Sequence, residues 1–467
     1  MLASGVGPAE HGEKTGIWVI NVLSATPRQV RGDAEGAVAS PDGASIAFRH
    51  STGQGGVSVV DVSGERVRPL LTAEATETFG KLEWSPDGRR VAAIVRRAGD
   101  ANVSIETVEL ATGKRAELVR QPNLRTFVWL PDGRVLFVTQ GREQGAAAVL
   151  HELDTRRRER QLDLGSDVAP ADISASADGK RLVLVRTTVQ SDVYAADIGK
   201  ESVTGLTRVT LDDRDDRPTG WLSDSRTFLF ESNRNGTLDI FRQSLQSPAA
   251  ELLVGGSDVQ FGAQAAPDGK TVLYWSRPED NSRLQLMAIP AAGGPANPLF
   301  DRPAGSQFYC GTAKGESSCA VATAENGKIQ VSEFSPRGGS PRPIGEIALP
   351  GDAKGVLWAL GSRPIRTAYL SGGRLLVADV AGGASWHVAE SDLPGKVTGL
   401  AFAASGDLLV TTGSARENLV LLVSRSGVRR LCDFPRALAS PVPSPDGKRL
   451  LLEVASASSN AWLLENF

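Results

Sequence analysis

The sequence predicts an all-β chain folded as a β-propeller of about ten four-stranded repeats. Three observations carry that prediction. A turn phrase recurs: Ser40-Pro41-Asp42-Gly43 returns as Ser85-Pro86-Asp87-Gly88, Leu130-Pro131-Asp132-Gly133, Ser176-Ala177-Asp178-Gly179, Leu222-Ser223-Asp224-Ser225, Ala266-Pro267-Asp268-Gly269 and Ser444-Pro445-Asp446-Gly447. The first six copies are spaced 45, 45, 46, 46 and 44 residues apart. Each period also holds four strand-like segments, the content of one propeller blade.

Within a repeat the elements follow from local chemistry. In Pro218 to Val254, Thr219-Gly220-Trp221 is a short inner strand and Leu222 to Ser225 a turn. Arg226 to Glu231 reads as a second strand, and Ser232 to Gly236 as a loop ending in Asn-Gly, a hairpin signal. Leu238 to Gln243 alternates apolar and polar residues, as a half-buried strand does, and Ala250 to Val254 closes the unit. The same grammar reads Leu82–Trp84, Arg89–Val95, Val103–Leu110 and Arg115–Val119 as one blade. It reads Ile173–Ala175, Arg181–Val185, Val193–Ile198 and Thr207–Thr210 as another. In the turn, proline presets φ, aspartate bonds the local backbone, and glycine accepts a positive φ before the next strand.

Degenerate copies near residues 312, 360 and 403 bring the count to ten. Ten exceeds the usual 4–8 blades of one ring. The expected organisation is therefore two modules, 16–170 as an incomplete first propeller and 171–467 as a second of about seven blades. Residues 1–15 are expected to be disordered. The alternative is one large ring. Gly16–Val22 and Asn460–Glu465 suggest a blade completed across the chain termini, which would remove exposed sheet edges.

Composition excludes several function classes. Net charge is −3 over 467 residues, which gives no overall footprint for nucleic acid or an anionic membrane. The opening MLASGVGPAEHGEKTG has no basic segment followed by an apolar run, so it is not a signal peptide. No apolar run approaches the ~18 residues of a membrane helix, so the chain reads as soluble as given. It enters the repeat midway, which suggests that sequence upstream is missing. Only such a segment would bring a membrane partner.

No catalytic motif emerges. Gly-x-Ser-x-Gly, His-Glu-x-x-His and the phosphate-binding loop are all absent. His11, His50, His151 and His387 are scattered over different repeats. The expectation is a non-enzyme without cofactor or metal. Arg156-Arg157-Arg158 reads as a solvated turn, and Trp84, Trp129, Trp221 and Trp275 as packing between blades. The three cysteines, Cys310, Cys319 and Cys432, show no metal-ligand spacing. Cys310 and Cys319 flank a polar stretch between two strands. They are either a disulfide across a hairpin or two buried thiols.

The densest polar cluster is Asp212-Asp213-Arg214-Asp215-Asp216-Arg217. It reads in two ways, as a self-neutralising loop that holds blades in register or as a contact for a ligand or partner. Propeller topology places it on the same face as Asn233-Arg234-Asn235, so the two loops should share one rim.

The repeats resemble those of the TolB-type WD40-like (PD40) β-propeller family. Trp84-Ser85-Pro86-Asp87-Gly88-Arg89 and Ser232 to Phe241 carry the closest matches. Leu206 to Trp221 and Trp462 to Phe467 also look like the propeller sensor region of bacterial regulators that carry an upstream kinase or winged-helix domain. That resemblance implies a sensor or interaction propeller in signal transduction, located outside the cytoplasmic membrane, binding a protein or small molecule and no nucleic acid. A similar propeller forms the lid of prolyl-oligopeptidase-type peptidases. The rival readings are thus an accessory propeller without its hydrolase, or a structural assembly module.

Overall fold

The protein is described here from a computed structural model covering residues 2–6, 15–21, 23–51, 55–74, 76–140, 148–162, 170–278, 283–311, 319–325, 327–349, 358–361, 365–371, 373–382, 385–414 and 417–465. These residues form ten antiparallel sheets and contain no α-helix. The chain is an all-β propeller protein, as the repeat predicts. It divides into two compact units, Met1–Thr188 with Ser458–Phe467, and Val189–Ala457.

The second unit is a ring of six blades. Its inner strands are Asp216–Trp221, Val259–Ala265, Gln307–Cys310, Trp358–Gly361, Lys396–Phe402 and Ala437–Pro443, and each packs on the next until the last meets the first. Five blades are simple four-stranded meanders. The sixth takes Ala437–Pro443 and the first part of Arg449–Glu465 from the end of the chain, then the latter part of Arg181–Ile198 and Val203–Arg208 from far earlier.

This arrangement departs from three expectations. Ile173 to Thr210 is not one blade, because Arg181–Ile198 is a single strand of 18 residues. The stretch Arg186 to Asp192 has β-branched threonine and valine and no Gly, Pro or Asn-Gly to turn the chain. Arg449–Glu465 is likewise one strand of 17 residues, not two. Each strand serves the first unit with one half and the second with the other. The second unit accordingly holds six blades and not seven, and its ring is completed by residues 189–208 and not by the chain's first strands.

The first unit holds five sheets. Leu2–Val6, Thr15–Ile20 and Pro27–Gly32 form a three-stranded sheet, so residues 2–6 are strand and not the disordered segment expected over 1–15. Three four-stranded blades follow, beginning at Ala34–Ala39, Glu77–Trp84 and Leu124–Trp129. The last sheet joins Asp172–Ala175 to the first part of Arg181–Ile198 and the end of Arg449–Glu465. Thr187 and Ser459 hydroxyls meet at 3.0 Å, and Arg181 Nε lies 3.2 Å from Glu465 Oε1.

The turn works as its chemistry requires. Ser85 is fully buried, donates its hydroxyl to Asp87, and accepts the Arg90 amide at 2.9 Å, while Asp87 accepts the Arg89 amide at 3.0 Å. Gly88 then takes φ +68°. In the degenerate copy Ser225 occupies that place and still takes φ +54°, so the turn geometry outlives the glycine. Behind the turns, the second and third strands carry the buried apolar residues that fill the space between blades. In the second unit Trp221, Phe228, Phe230 and Phe241 stack with Val193, Ala195 and Leu451. The tryptophan reading holds at Trp84, Trp221 and Trp275. Trp84 donates its indole N–H to the Val38 carbonyl and Trp221 to that of Val442, both at 3.0 Å and both on the neighbouring blade. Trp275 meets Phe308 edge to face.

Inner strands carry a recurrent irregularity. The register shifts between Glu35 and Val38, Phe79 and Leu82, Phe261 and Gln264, and Val397 and Gly399. Such bulges bend the strand and re-aim side chains beside the blade axis.

Candidate functional site

The charged cluster begins as loop and ends as strand. Asp212 to Asp215 lie in the connection, while Asp216 and Arg217 open the inner strand Asp216–Trp221. The structure brings the two predicted loops together. The Asp215 amide donates to Asn233 Oδ1 at 3.2 Å, and Arg234 Nη2 lies 2.7 Å from Asp212 Oδ2 and 3.1 Å from Asp216 Oδ1. Arg234 also caps the core, with its guanidinium 4.4 Å above the Phe241 ring centre and its Nε donating to Ser232 Oγ at 2.9 Å.

Most of the cluster is therefore consumed internally. Asp216 is fully buried. Its carboxyl is pushed up to about 6, first by burial and also by the Asp212 charge, against the pull of Ser232 and Arg234. Asp215 accepts the Ser191 amide at 3.1 Å. Asn235 is exposed but donates Nδ2 to the buried Asp239 Oδ2 at 2.8 Å. Asp213 and Arg214 alone of the predicted set are exposed and have no hydrogen-bond or ion-pair partner among the described residues.

The network extends to residues that sequence proximity could not reveal. Arg208 Nη2 donates to Asp192 at 2.7 Å and also to the Asp212 carbonyl. Arg217 Nε stands 3.4 Å from Glu453 Oε1, and Glu453 accepts Ser191 and Ser440 hydroxyls, each at 2.9 Å. Beside them Glu231 accepts the Gly262 amide at 3.3 Å. Burial pushes its carboxyl up to about 7, and Glu453 adds repulsion. Glu453 stands more than 200 residues from Arg217 in the chain, and only closure of the sixth blade joins them.

The opposite end of the same ring holds a cavity of about 230 Å³. All six inner strands contribute to its wall. Thr219, Gln264 and Gln307 supply polar groups, and Phe308, Trp358 and Leu360 apolar ones. Gln264 is fixed by two bonds, donating to the Phe308 carbonyl at 3.0 Å and accepting the Cys310 amide at 3.3 Å. Thr219 Oγ1 is buried without a hydrogen-bond partner.

Cys310, on the cavity wall, is bridged to Cys319 across facing positions of neighbouring strands. The intervening 312–318 lie outside the described residues. The bridge closes a short loop and should stabilise by roughly 2–3 kcal/mol, mainly by restricting the unfolded chain. Reduction, or Cys310→Ser with Cys319→Ser, is expected to lower the melting temperature. An unchanged melting temperature on full reduction would refute that contribution.

The histidines stay apart. His50 and His151 each meet a hydroxyl, at 2.8 Å from Ser58 and 2.9 Å from Thr139, while His387 is exposed and His11 lies outside the described residues. No group of three metal-ligating side chains occurs among the described residues, and no helix there is long and apolar enough to cross a membrane.

Comparison with known proteins finds a propeller model matching part of the chain. Residues 71–254 match the family model of the prolyl oligopeptidase N-terminal beta-propeller domain. The chain is 32% identical over 87 residues to hydrazine synthase subunit beta of Kuenenia stuttgartiensis, a match covering 18% of this chain and 22% of that protein. It thus spans about a fifth of the length of that curated relative. Among solved structures, the β-propeller domain of the Trilobed protease from Pyrococcus furiosus is similar at 16% identity and a TM-score of 0.31, covering 64% of this chain and 93% of that one. TolB from Acinetobacter baumannii is similar at 14% identity and a TM-score of 0.23, covering 73% and 81%.

Proposed function

We propose that the protein is a non-catalytic interaction propeller whose second unit receives a protein segment or small molecule in its axial cavity. The observation that carries this reading is the cavity itself, walled by all six blades and lined by apolar rings and by the fixed amide of Gln264. A mixed lining of this kind orients a ligand through a few polar contacts while burying its apolar part. A role as the sensor portion of a signalling protein outside the cytoplasmic membrane follows from the sequence resemblance and belongs to the same reading. The charged rim supports a narrower role. Its buried members hold blades together, which leaves Asp213 and Arg214 as the groups free to meet a partner.

The test is a selection of random peptides on the full chain, counter-screened on Thr219→Phe, which narrows the cavity, and on Asp213→Ala with Arg214→Ala. Sequences lost on Thr219→Phe and kept on the rim variant are the expected result. Sequences lost only on the rim variant would move the site to the opposite face. A serine-directed phosphonate probe is expected to leave the protein unlabelled, and stoichiometric labelling would overturn the non-catalytic reading.

A further inference from the structure

We propose that the first unit carries an oxyanion-binding site, for a phosphate or carboxylate group, formed by Arg49, Arg96 and Arg125. The three residues come from successive blades: Arg49 and Arg96 from second strands that flank the bulged inner strand Glu77–Trp84, and Arg125 from the next inner strand. Arg49 donates Nη1 to the Phe79 carbonyl at 2.7 Å. Arg96 lies against the next residue of that strand: a methyl group built on Gly80 would stand 2.9 Å from Arg96 Nη1. Two guanidinium groups therefore flank the Phe79–Gly80 peptide. Arg125 stands at the head of the adjoining inner strand Leu124–Trp129.

The local backbone is shaped for these groups. Gly36 and Gly80 sit in the inner-strand bulges of successive blades. Gly36 takes φ +59°, and a methyl there would come within 2.8 Å of Arg49 Nε. Both glycines thus leave room for a guanidinium that any side chain would displace.

Charge is left unbalanced. Glu35, 3.3 Å from Arg49 Nη2, is the one carboxylate paired with the three arginines among the described residues, and Arg96 and Arg125 have none. Arg49 Nε is buried without a hydrogen-bond partner. Arg96 and Arg125 are exposed, yet partial desolvation and the charges of Arg125 and Arg49 hold the guanidinium of Arg96 below its ordinary value. Elsewhere in this unit clustered arginines are matched by acids: Arg97 and Arg115 share Glu77 and Glu106. Forked guanidinium groups bind planar or tetrahedral oxyanions through paired hydrogen bonds, and a bound anion would cancel the repulsion.

The experiment titrates the full chain with inorganic phosphate and, separately, with citrate at low ionic strength, followed calorimetrically. Arg96→Ala and Arg125→Ala should each weaken binding at least about tenfold, a loss near 1.4 kcal/mol. Arg96→Lys, which keeps charge and loses the fork, should fall between. Without ligand, the melting temperatures of the alanine variants should equal or exceed that of the parent, because a like-charge contact has been removed. Phosphate binding assigns the site to phosphate groups, and citrate binding alone assigns it to carboxylates. Absence of binding by either at about 10 mM, where the counter-charge should be felt even with screening, would overturn the site. So would unchanged affinity in both alanine variants, or lower melting temperatures with affinity intact.

Discussion

Arg234→Ala is expected to destabilise the second unit by about 3–5 kcal/mol, the usual consequence of leaving a buried charge without its partner. Asp216 is fully buried, and Arg234 is the cation that reaches both it and Asp212. The substitution also strips a guanidinium from the faces of Phe230 and Phe241. Adding Asp216→Asn to Arg234→Ala should recover part of the loss, since the unpaired charge goes with it. Asp213→Ala with Arg214→Ala should change stability by less than about 0.5 kcal/mol, as exposed groups without partners usually do. Urea denaturation of the four proteins measures all of this. Equal effects of Arg234→Ala and the exposed pair would show that the buried bridge contributes nothing special.

A mildly acidic optimum of stability is the second expected result. Glu231 is raised to about 7 in the folded protein, from an ordinary value of 4.5. The native state then keeps a proton that the unfolded chain releases, so this contribution is complete below about 4.5 and is lost as pH rises through about 7. Asp216, raised to about 6, acts in the same direction. The turn aspartates act oppositely. Asp42, Asp87 and Asp178 are held low, first by the serine hydroxyls of their own turns. Their contribution is present above the ordinary carboxylate range and fades as pH falls through their lowered values. Glu231→Gln, a neutral isostere, should flatten the alkaline limb and gain on the order of 3 kcal/mol over the parent at pH 8, with little difference near pH 4.5. Parallel pH profiles for the two proteins would contradict this.

The sequence made the blades legible because their signals are local. Ser85, Asp87 and Gly88 define a turn within four residues, and Ser232 to Gly236 a hairpin loop within five. The meeting of Asp212–Arg217 with Asn233–Asn235 was equally readable, since both loops belong to one repeat and blade topology fixes their common face. What escaped was non-local. Nothing in Val193 or in Leu450 announces that they share a blade, and Glu453 joins Arg217 only through that closure. The hydrogen bond from Asn235 to Asp239 and the burial of Asp216 also escaped. A run of charges reads as a solvated loop, whereas the strand here begins inside the run and draws its last two members into the fold. The arginine cluster of the first unit was invisible for the same reason: its members lie 47 and 29 residues apart in the chain, and Arg49 and Arg96 are placed by glycine bulges that no local signal announces.

The two long strands also set a timetable for synthesis. Five blades of the second unit can form as soon as their own residues leave the ribosome, because each is a local meander. Neither unit can be finished then. The second waits for Ala437–Pro443 and the first part of Arg449–Glu465, and the first waits for the residues that follow. Thr187 remains without Ser459 until the chain has grown a further 272 positions. The entropy of closing so long a loop exceeds that of closing one blade by only ~1.5 kcal/mol. The delay matters more than this cost. Throughout elongation the halves of Arg181–Ile198 present unpaired edges, the surface on which a nascent chain invites misassembly or a chaperone.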